Sequence, residues 1–312
     1  MGELAVVVQP TLQERDVENI NQLIRICTNA DSAHPFSENV VLHLRHGHEI
    51  QVRHLLAFRS GELVGYAHLD LSDRVQGPSA ELAVHPDFRR HGVGRALLAG
   101  LIAESGAPSL RLWSHGESTS ASALAHAFGF ERTRTLWQMR RSLFAAVPEA
   151  VVPAGITFRE FDVETDIPQW LECNARAFAD HPEQGRWTEI DFSNRMTEKW
   201  FDPKGFIVAV DENQKMVGFH WTKIHPKTTN QIHEHEAIGE VYVVGVDPTW
   251  QGKSLGKALT IAGLKYLRDQ GLNSAMLYVD SADERAINLY SNLGFMQWDS
   301  DTLFRFTIPK TV

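Results

Sequence analysis

The chain has 312 residues, more than one hydrophobic core usually serves, so two domains are predicted. With 43% hydrophobic and 22% charged residues it has a globular composition, and a formal net charge of -9 offers no basic field for a polyanion, which excludes nucleic acid as a partner. Cys27 and Cys173 show neither disulfide nor zinc spacing, no window reaches the ~20 apolar residues that span a bilayer, and Met1 to Pro10 lacks a signal-peptide pattern; the reading is a cytoplasmic protein with no membrane role.

In chain order, strands are predicted over 55–58, 62–71 and 79–84, then a helix over 93–103, a strand over 110–113 and a helix over 119–128. The stretch 146–155 contains Pro148 and Pro153 among small residues and reads as a linker between domains 1–145 and 156–312. Beyond it, strands over 205–210 and 216–225 flank a turn at 211–215, and a strand follows over 239–246. The next helix starts at Ser254, carries Leu255, Ala258, Leu259, Ala262 and Tyr266 on one face, and is closed by Gly271. A strand over 275–279, a helix over 286–293 ended by Gly294, and a strand over 303–307 complete the pattern.

The two halves repeat one layout. Pro86 and Pro248, Arg89 and Gln251, Gly94 and Gly256, and Ala96 and Ala258 share one separation, about half the chain, and Gly129-Phe130 echoes Gly294-Phe295. Order and spacing together indicate an internal duplication. In each copy a strand end (Leu82, Ala83, Val84; Val244, Gly245, Val246) leads into a glycine-containing turn at the mouth of a helix. The turn is Arg89-Arg90-His91-Gly92-Val93-Gly94 in copy one and Gln251-Gly252-Lys253-Ser254-Leu255-Gly256 in copy two. Small residues let the backbone approach a diphosphate, and the first amides of the helix present unsatisfied donors and the positive dipole end to it. Arg89, Arg90, Arg95, Lys253 and Lys257 add positive charge at the rim.

These residues resemble the GNAT acetyltransferases, whose pattern is Arg/Gln-x-x-Gly-x-Gly/Ala. Ser254 stands where that family usually has glycine, and it would be strained if the position needs a positive φ. The segments Gly239-Glu-Val-Tyr-Val-Val-Gly-Val-Asp-Pro248, Phe219-His-Trp-Thr-Lys223, Leu277-Tyr-Val-Asp280 and Ala286-Ile-Asn-Leu-Tyr290, with the two fused copies, are similar to the mycothiol synthase family over nearly the whole chain. The resemblance implies an α/β (α+β) chain of two tandem GNAT folds, each a mixed, mostly antiparallel twisted sheet flanked by helices. It also implies acetyl transfer from acetyl-CoA to the cysteinyl amine of cysteinyl-glucosaminyl-inositol, by a monomer and without a metal. An N-acetyltransferase for another small amine and a non-catalytic acetyl-CoA-binding regulatory protein are the alternatives.

Acyl transfer to an amine needs a neutral nucleophile, a polarised carbonyl and a proton for the leaving thiolate. A backbone N–H in the strand end Val244-Gly245-Val246 is the expected donor to the carbonyl oxygen. Glu240, read as alternating with Tyr242 and Val244 on one strand face, is the base that the resemblance implies, and Tyr290, in the helix before Gly294-Phe295, is the acid. Asp283, Glu284, Arg285, Ala286, Ile287 and Asn288 are expected to complete the cofactor site. The resemblance adds Glu38, Glu183, Lys223 and Tyr278 as substrate contacts. Glu183 falls in the polar stretch 174–186, read as a loop, and Glu38, from copy one, would make the site span both domains.

Spacing puts Pro78 and Ala125 of copy one at the places of Glu240 and Tyr290, so copy one is expected to be catalytically silent while retaining an intact turn that can hold acetyl-CoA. Glu81, three positions from Pro78, is expected on the other strand face. His225, His233, Glu234, His235 and Glu236 invite a metal reading, but an exposed loop without fixed geometry argues against it.

Overall fold

The structure is a computed structural model that describes residues 2–46, 51–73, 76–179, 181, 184–230 and 233–307. It divides into two compact units, one of Met1–Leu136 with Asp299–Val312 and one of Trp137–Trp298.

Unit 1 starts with β1 (Leu4–Gln9), α1 (Glu14–Asp31) and α2 (Glu38–His46), then β2 (Val52–Arg59), β3 (Glu62–Asp70), β4 (Ser79–Val84), α3 (Val93–Ser105), β5 (Ser109–Ser114) and α4 (Thr119–Ala127). Its strands lie in the order β1-β2-β3-β4-β5, antiparallel except for the parallel β4–β5 pair. Leu55, Ala67, Ala80, Leu97, Leu98 and Leu101 form the core between the sheet and α3, and on the other face Ile20, Leu23 and Cys27 of α1 pack with Phe36, Tyr66 and Ala83.

Strand β6 (Glu131–Ser142) starts in unit 1 and ends in unit 2. Unit 2 continues with β7 (Thr157–Glu160), α5 (Ile167–Ala177), α6 (Glu189–Met196), β8 (Phe206–Val210) and β9 (Met216–His225), and a short separate ribbon, β10 (Thr228–Asn230) with β11 (His233–His235). Then come β12 (Ile238–Val246), α7 (Leu255–Asp269), β13 (Ser274–Asp280) and α8 (Glu284–Asn292). The sheet order β6-β13-β12-β9-β8-β7 is again mixed, with a parallel β12–β13 pair and antiparallel β7–β8, β8–β9 and β9–β12 pairs. Ile261, Leu264 and Leu267 of α7 pack on one face with Val241 and Leu277, whereas Trp170, Cys173 and Phe192 of α5 and α6 pack on the other with Phe219, Trp221 and Val243.

The last strand, β14 (Met296–Thr307), starts in unit 2 and ends in unit 1, where Thr302 to Thr307 pair antiparallel with Ser114 to Ser109 of β5. Residues 299–307 thus belong with the N-terminal unit, not with a domain 156–312. The reason is the bare edge of β5, which needs a ladder partner. Asp301 adds bonds to the Gly116 amide (3.0 Å) and to His115 Nδ1 (2.9 Å). Nor is 146–155 a free linker. Leu143 and Val147 are buried against α7, and Arg141 donates to the carbonyl oxygens of Ala145 and Ala146, so this segment belongs to unit 2. The stretch expected as a loop from 174 is helical through Ala177, with Asn174 buried and donating to the Gln184 carbonyl at 2.6 Å.

Candidate active site

Strand β12 carries a register shift between Val241 and Val243 against β9, so Tyr242 is an extra residue. Such a bulge places neighbouring residues on one face and inverts the alternation beyond it. Glu240, Tyr242 and Val243 therefore share the α5–α6 face, while Val244 packs with Ile261 and Leu255 on the α7 face. The expected alternation of Glu240 with Val244 is corrected accordingly.

The bulge also changes the counterparts in unit 1, whose β3–β4 ladder has no shift. Glu240 pairs with Lys223 and, in unit 1, Ser79 pairs with Asp70, so Ser79 rather than Pro78 holds the place of Glu240. By the same register Glu81 occupies the place of Val243, on the face equivalent to that of Glu240 and not on the opposite one. Its carboxylate is consumed there: Oε1 accepts from Ser37 Oγ (2.7 Å), and Oε2 accepts from the Ser37 amide (2.6 Å) and faces His115 Nε2 (3.1 Å). Burial opposes ionisation of Glu81, but His115 and the two Ser37 donors outweigh it and hold its carboxyl below the usual range.

Glu240 is 7% exposed, and its Oε2 lies 2.6 Å from Nε2 of His225. Among the described residues Oε1 has no hydrogen-bond partner. Lys223 stands opposite Glu240 in the ladder, with its ammonium over the rings of Trp200 (4.8 Å) and Tyr242 (5.1 Å). The ladder between β12 and β13 stops at Glu240 and Met276, so from Val241 onward the edge of β12 turned toward β13 lacks strand pairing. Val244, Gly245 and Val246 lie in this parted region.

Tyr290 sits in the last turn of α8, packed edge-on against Phe295 at 5.9 Å within the α7-side cluster. Its carbonyl accepts from the Phe295 amide at 3.0 Å, and in unit 1 the Ala125 carbonyl accepts from Phe130 at the same distance, which establishes Ala125 as its counterpart. Burial, with the Asp283 charge adding, pushes the Tyr290 phenol up to about 12, so it is protonated at neutral pH. Asp283 caps α8 by accepting from the Ala286 amide (2.9 Å), and Glu284, Arg285 and Asn288 are exposed around this helix start while Ala286 and Ile287 are half-buried.

The two turns share a backbone. In copy one the positive φ values fall on Arg90 (64°) and Gly92 (85°), and in copy two on Gly252 (77°) and Ser254 (63°). Each copy thus keeps one glycine and one strained residue, at opposite positions. Ser254 is the N-cap of α7 without a side-chain capping bond, so the serine keeps the turn at the expense of left-handed strain. A Cβ placed at Gly92 or Gly252 meets nothing within 4 Å, which leaves the space over both turns open to a ligand, and the exposed Gln251, Lys253 and Lys257 rim the second. In unit 1 Arg89 is occupied by Asp31 (2.7 Å to both oxygens) and the Val84 carbonyl (3.1 Å), and Arg95 lies over Phe128. Both turns fit a CoA diphosphate held by backbone amides.

Of the other expected contacts, Tyr278 is 42% exposed on β13, Glu38 starts α2 in unit 1, and Glu183 lies outside the described residues, as do the side chains of His233, Glu234 and His235. Among the described residues no group of three or more metal-ligating side chains occurs and no helix is long and apolar enough to cross a membrane. Sequence reading weighed His225 only as a metal ligand. Its place two residues after Lys223 on β9, and hence on the same strand face, was the available signal for pairing with Glu240.

The model of the acetyltransferase (GNAT) family matches residues 166–295, and that of the acetyltransferase (GNAT) domain matches 51–132. A mycothiol acetyltransferase of Acidothermus cellulolyticus is 48% identical over 291 residues, covering 90% of this chain and 88% of the relative. The mycothiol acetyltransferase of Thermomonospora curvata is 44% identical over 310 residues, covering 99% and 100%. Among solved structures, a tandem GNAT protein from the clavulanic acid biosynthesis pathway has a TM-score of 0.74 at 20% identity and covers 99% of this chain and 100% of its own, a likeness of fold. With two GNAT matches in one chain and relatives of this identity along its length, the protein belongs to the mycothiol acetyltransferase family of tandem GNAT enzymes.

Proposed function

We propose that unit 2 transfers the acetyl group of acetyl-CoA to the cysteinyl amine of cysteinyl-glucosaminyl-inositol, and that unit 1 binds acetyl-CoA without turning it over. The observation that carries this reading is the asymmetry of the two carboxylates: Glu240 keeps Oε1 unengaged where β12 and β13 part, whereas both oxygens of Glu81 are spent. Acetyl-CoA, when bound, supplies an acetyl group activated as a thioester. The Gln251 to Gly256 turn holds its diphosphate through backbone amides at the start of α7, and N–H groups of the β12 edge, which loses its pairing to β13 after Glu240, polarise its carbonyl.

Glu240 Oε1 takes the proton from the acceptor ammonium, directly or through one water; the freed amine attacks the thioester carbonyl, the C–N bond forms as the C–S bond breaks, and the second proton shed by the nitrogen passes to water. An α-amino group titrates near pH ~8, so the base faces a modest task. His225, with its hydrogen on Nε2, donates to Oε2 and fixes the carboxylate so that Oε1 faces the acceptor. Tyr290 Oη gives its proton to the departing thiolate. Its raised pKa keeps that proton available across the physiological range.

Incubating the protein with acetyl-CoA and cysteinyl-glucosaminyl-inositol should yield an acceptor heavier by one acetyl group in the mass spectrum, modified on nitrogen. A folded sample that binds acetyl-CoA and leaves this acceptor unmodified would overturn the reading. Titration should find two acetyl-CoA sites per chain, one of which is lost in Gly94→Arg while turnover largely persists. In the same measurements the protein should remain monomeric.

A further inference from the structure

Beyond Glu240, the α5–α6 face of the unit 2 sheet continues across β13 to β6. Ala275, Leu277 and Val279 of β13 and Met139 of β6 are buried on the α7 side, so the intervening Tyr278, Gln138 and Arg140 lie on the face that carries Glu240. There they form one connected row. Gln138 Nε2 donates to Tyr278 Oη at 2.8 Å, Arg140 Nε donates to Gln138 Oε1 at 2.8 Å, and the Arg140 guanidinium lies 4.6 Å from the centre of the Trp298 ring. Trp298 is 67% exposed and Tyr278 42% exposed. A tryptophan left this far in water is unusual for a fold that buries Trp170 and Trp221 completely, and one held by a stacked guanidinium is pre-ordered rather than loose.

We propose that this row is a binding ledge for a polyhydroxylated ring, the sugar-cyclitol end of the acceptor. Glu240 pairs with Met276, and Tyr278 lies two residues further along the same strand, where β13 has parted from β12. One strand spacing and two residue rises put Tyr278 roughly 8 Å from Glu240 between Cα atoms, and one further strand step reaches Gln138. That span suits an acceptor whose amine is at Glu240 and whose rings extend toward β6. The chemistry suits it as well. The open face of Trp298 offers an apolar surface to the C–H face of a ring, while the Gln138 amide, the Tyr278 phenol and the Arg140 N–H groups are donors and acceptors for hydroxyls. Assigning the ring to this acceptor rests on the proposed function above; the ledge itself rests on the geometry.

The test uses the full chain with Trp298→Ala, Trp298→Phe and Gln138→Ala. Calorimetry with glucosaminyl-inositol, which lacks the cysteinyl group, reads the ledge without any turnover. Binding should weaken roughly 5- to 20-fold in Trp298→Ala, recover in part in Trp298→Phe, and weaken to a smaller degree in Gln138→Ala. Kinetics with cysteinyl-glucosaminyl-inositol should show the same ordering in KM with kcat nearly constant, while kcat/KM for cysteinamide stays unchanged. Unchanged glucosaminyl-inositol binding in Trp298→Ala overturns the ledge, as does an equal loss with cysteinamide. A wild-type protein that binds glucosaminyl-inositol at the ledge yet acetylates neither amine sinks the proposed function and leaves the ledge standing.

Discussion

In unit 1 the parallel ladder of β4 with β5 runs on to Glu81 and Trp113; in unit 2 that of β12 with β13 stops at Glu240 and Met276. Ser79 is the counterpart of Glu240, so unit 2 parts its central strands two residues sooner. The earlier opening coincides with the bulge at Tyr242, and the longer ladder with a carboxylate locked to Ser37 and His115. The two carboxylates thus hold different ladder positions: Glu81, at the place of Val243, is closed into a network, whereas Glu240, at the place of Ser79, sits where the strands part. Charge is exchanged too. Asp31 of α1 holds Arg89 of the turn in unit 1, whereas in unit 2 the helix supplies Arg176, which donates to Asp247 at 2.7 Å.

If the contrast between the carboxylates is right, Glu240→Gln should cost the most, lowering kcat by roughly 10²- to 10⁴-fold with acetyl-CoA binding retained. Glu81→Gln should instead register as lost thermal stability. Tyr290→Phe should lower kcat by a comparable or smaller factor; a near-normal rate in both Glu240→Gln and Tyr290→Phe would dissolve the assignment of acid and base to unit 2.

The closed network of unit 1 sharpens the contrast by pH. Burial disfavours a charged His115, but Glu81 and Asp301 prevail and push its pKa from 6.5 up to about 10. Folding is therefore favoured by its charge fully below pH 6.5, and that contribution declines as pH rises toward about 10. His115→Gln should destabilise by about 3 kcal/mol near neutrality, since it strands a buried carboxylate, and chemical denaturation should show the gap to wild type narrowing toward pH 10. A constant gap would mean that His115 acts through packing alone.

A smaller effect is expected from His225→Leu, roughly 10-fold in kcat with an unchanged KM for acetyl-CoA, and His225→Gln, which keeps a donor near the Nε2 position, should restore most of it. The smallest tests the turns. Ser254→Gly and Arg90→Gly should each stabilise the chain by about 1 kcal/mol, because each removes a left-handed non-glycine residue from the same backbone. A gain in one and a loss in the other would show that the two turns carry different constraints.

Much of this was legible in the sequence because it is written locally. The turn, the helical face from Leu255 to Tyr266 and the hairpin at 211–215 follow from periodicity and glycines, and resemblance singles out Glu240 on a strand and Tyr290 on a helix without giving the alternation around Glu240. The bulge was not legible, since constant spacing between copies assumes constant register, and one extra residue at Tyr242 is invisible to it. Helices α1, α2, α5 and α6 were missed because they lie outside the repeated motif. The row from Tyr278 to Trp298 joins three separate strands, and only pairing brings Gln138, Tyr278 and Trp298 together.

The return of the final strand to β5 has a consequence for synthesis. Unit 1 cannot finish its sheet until residues 302–307, far downstream of β5, have been made, because Thr302 to Thr307 supply its edge. Until then β5 presents unpaired backbone, the kind of edge that invites wrong partners. Halves expressed separately by a cut at 146–155 would inherit the same defect, one lacking a strand and the other carrying it to no purpose. A genetic split or circular permutation of this protein should therefore cut so that residues 299–307 travel with the N-terminal unit.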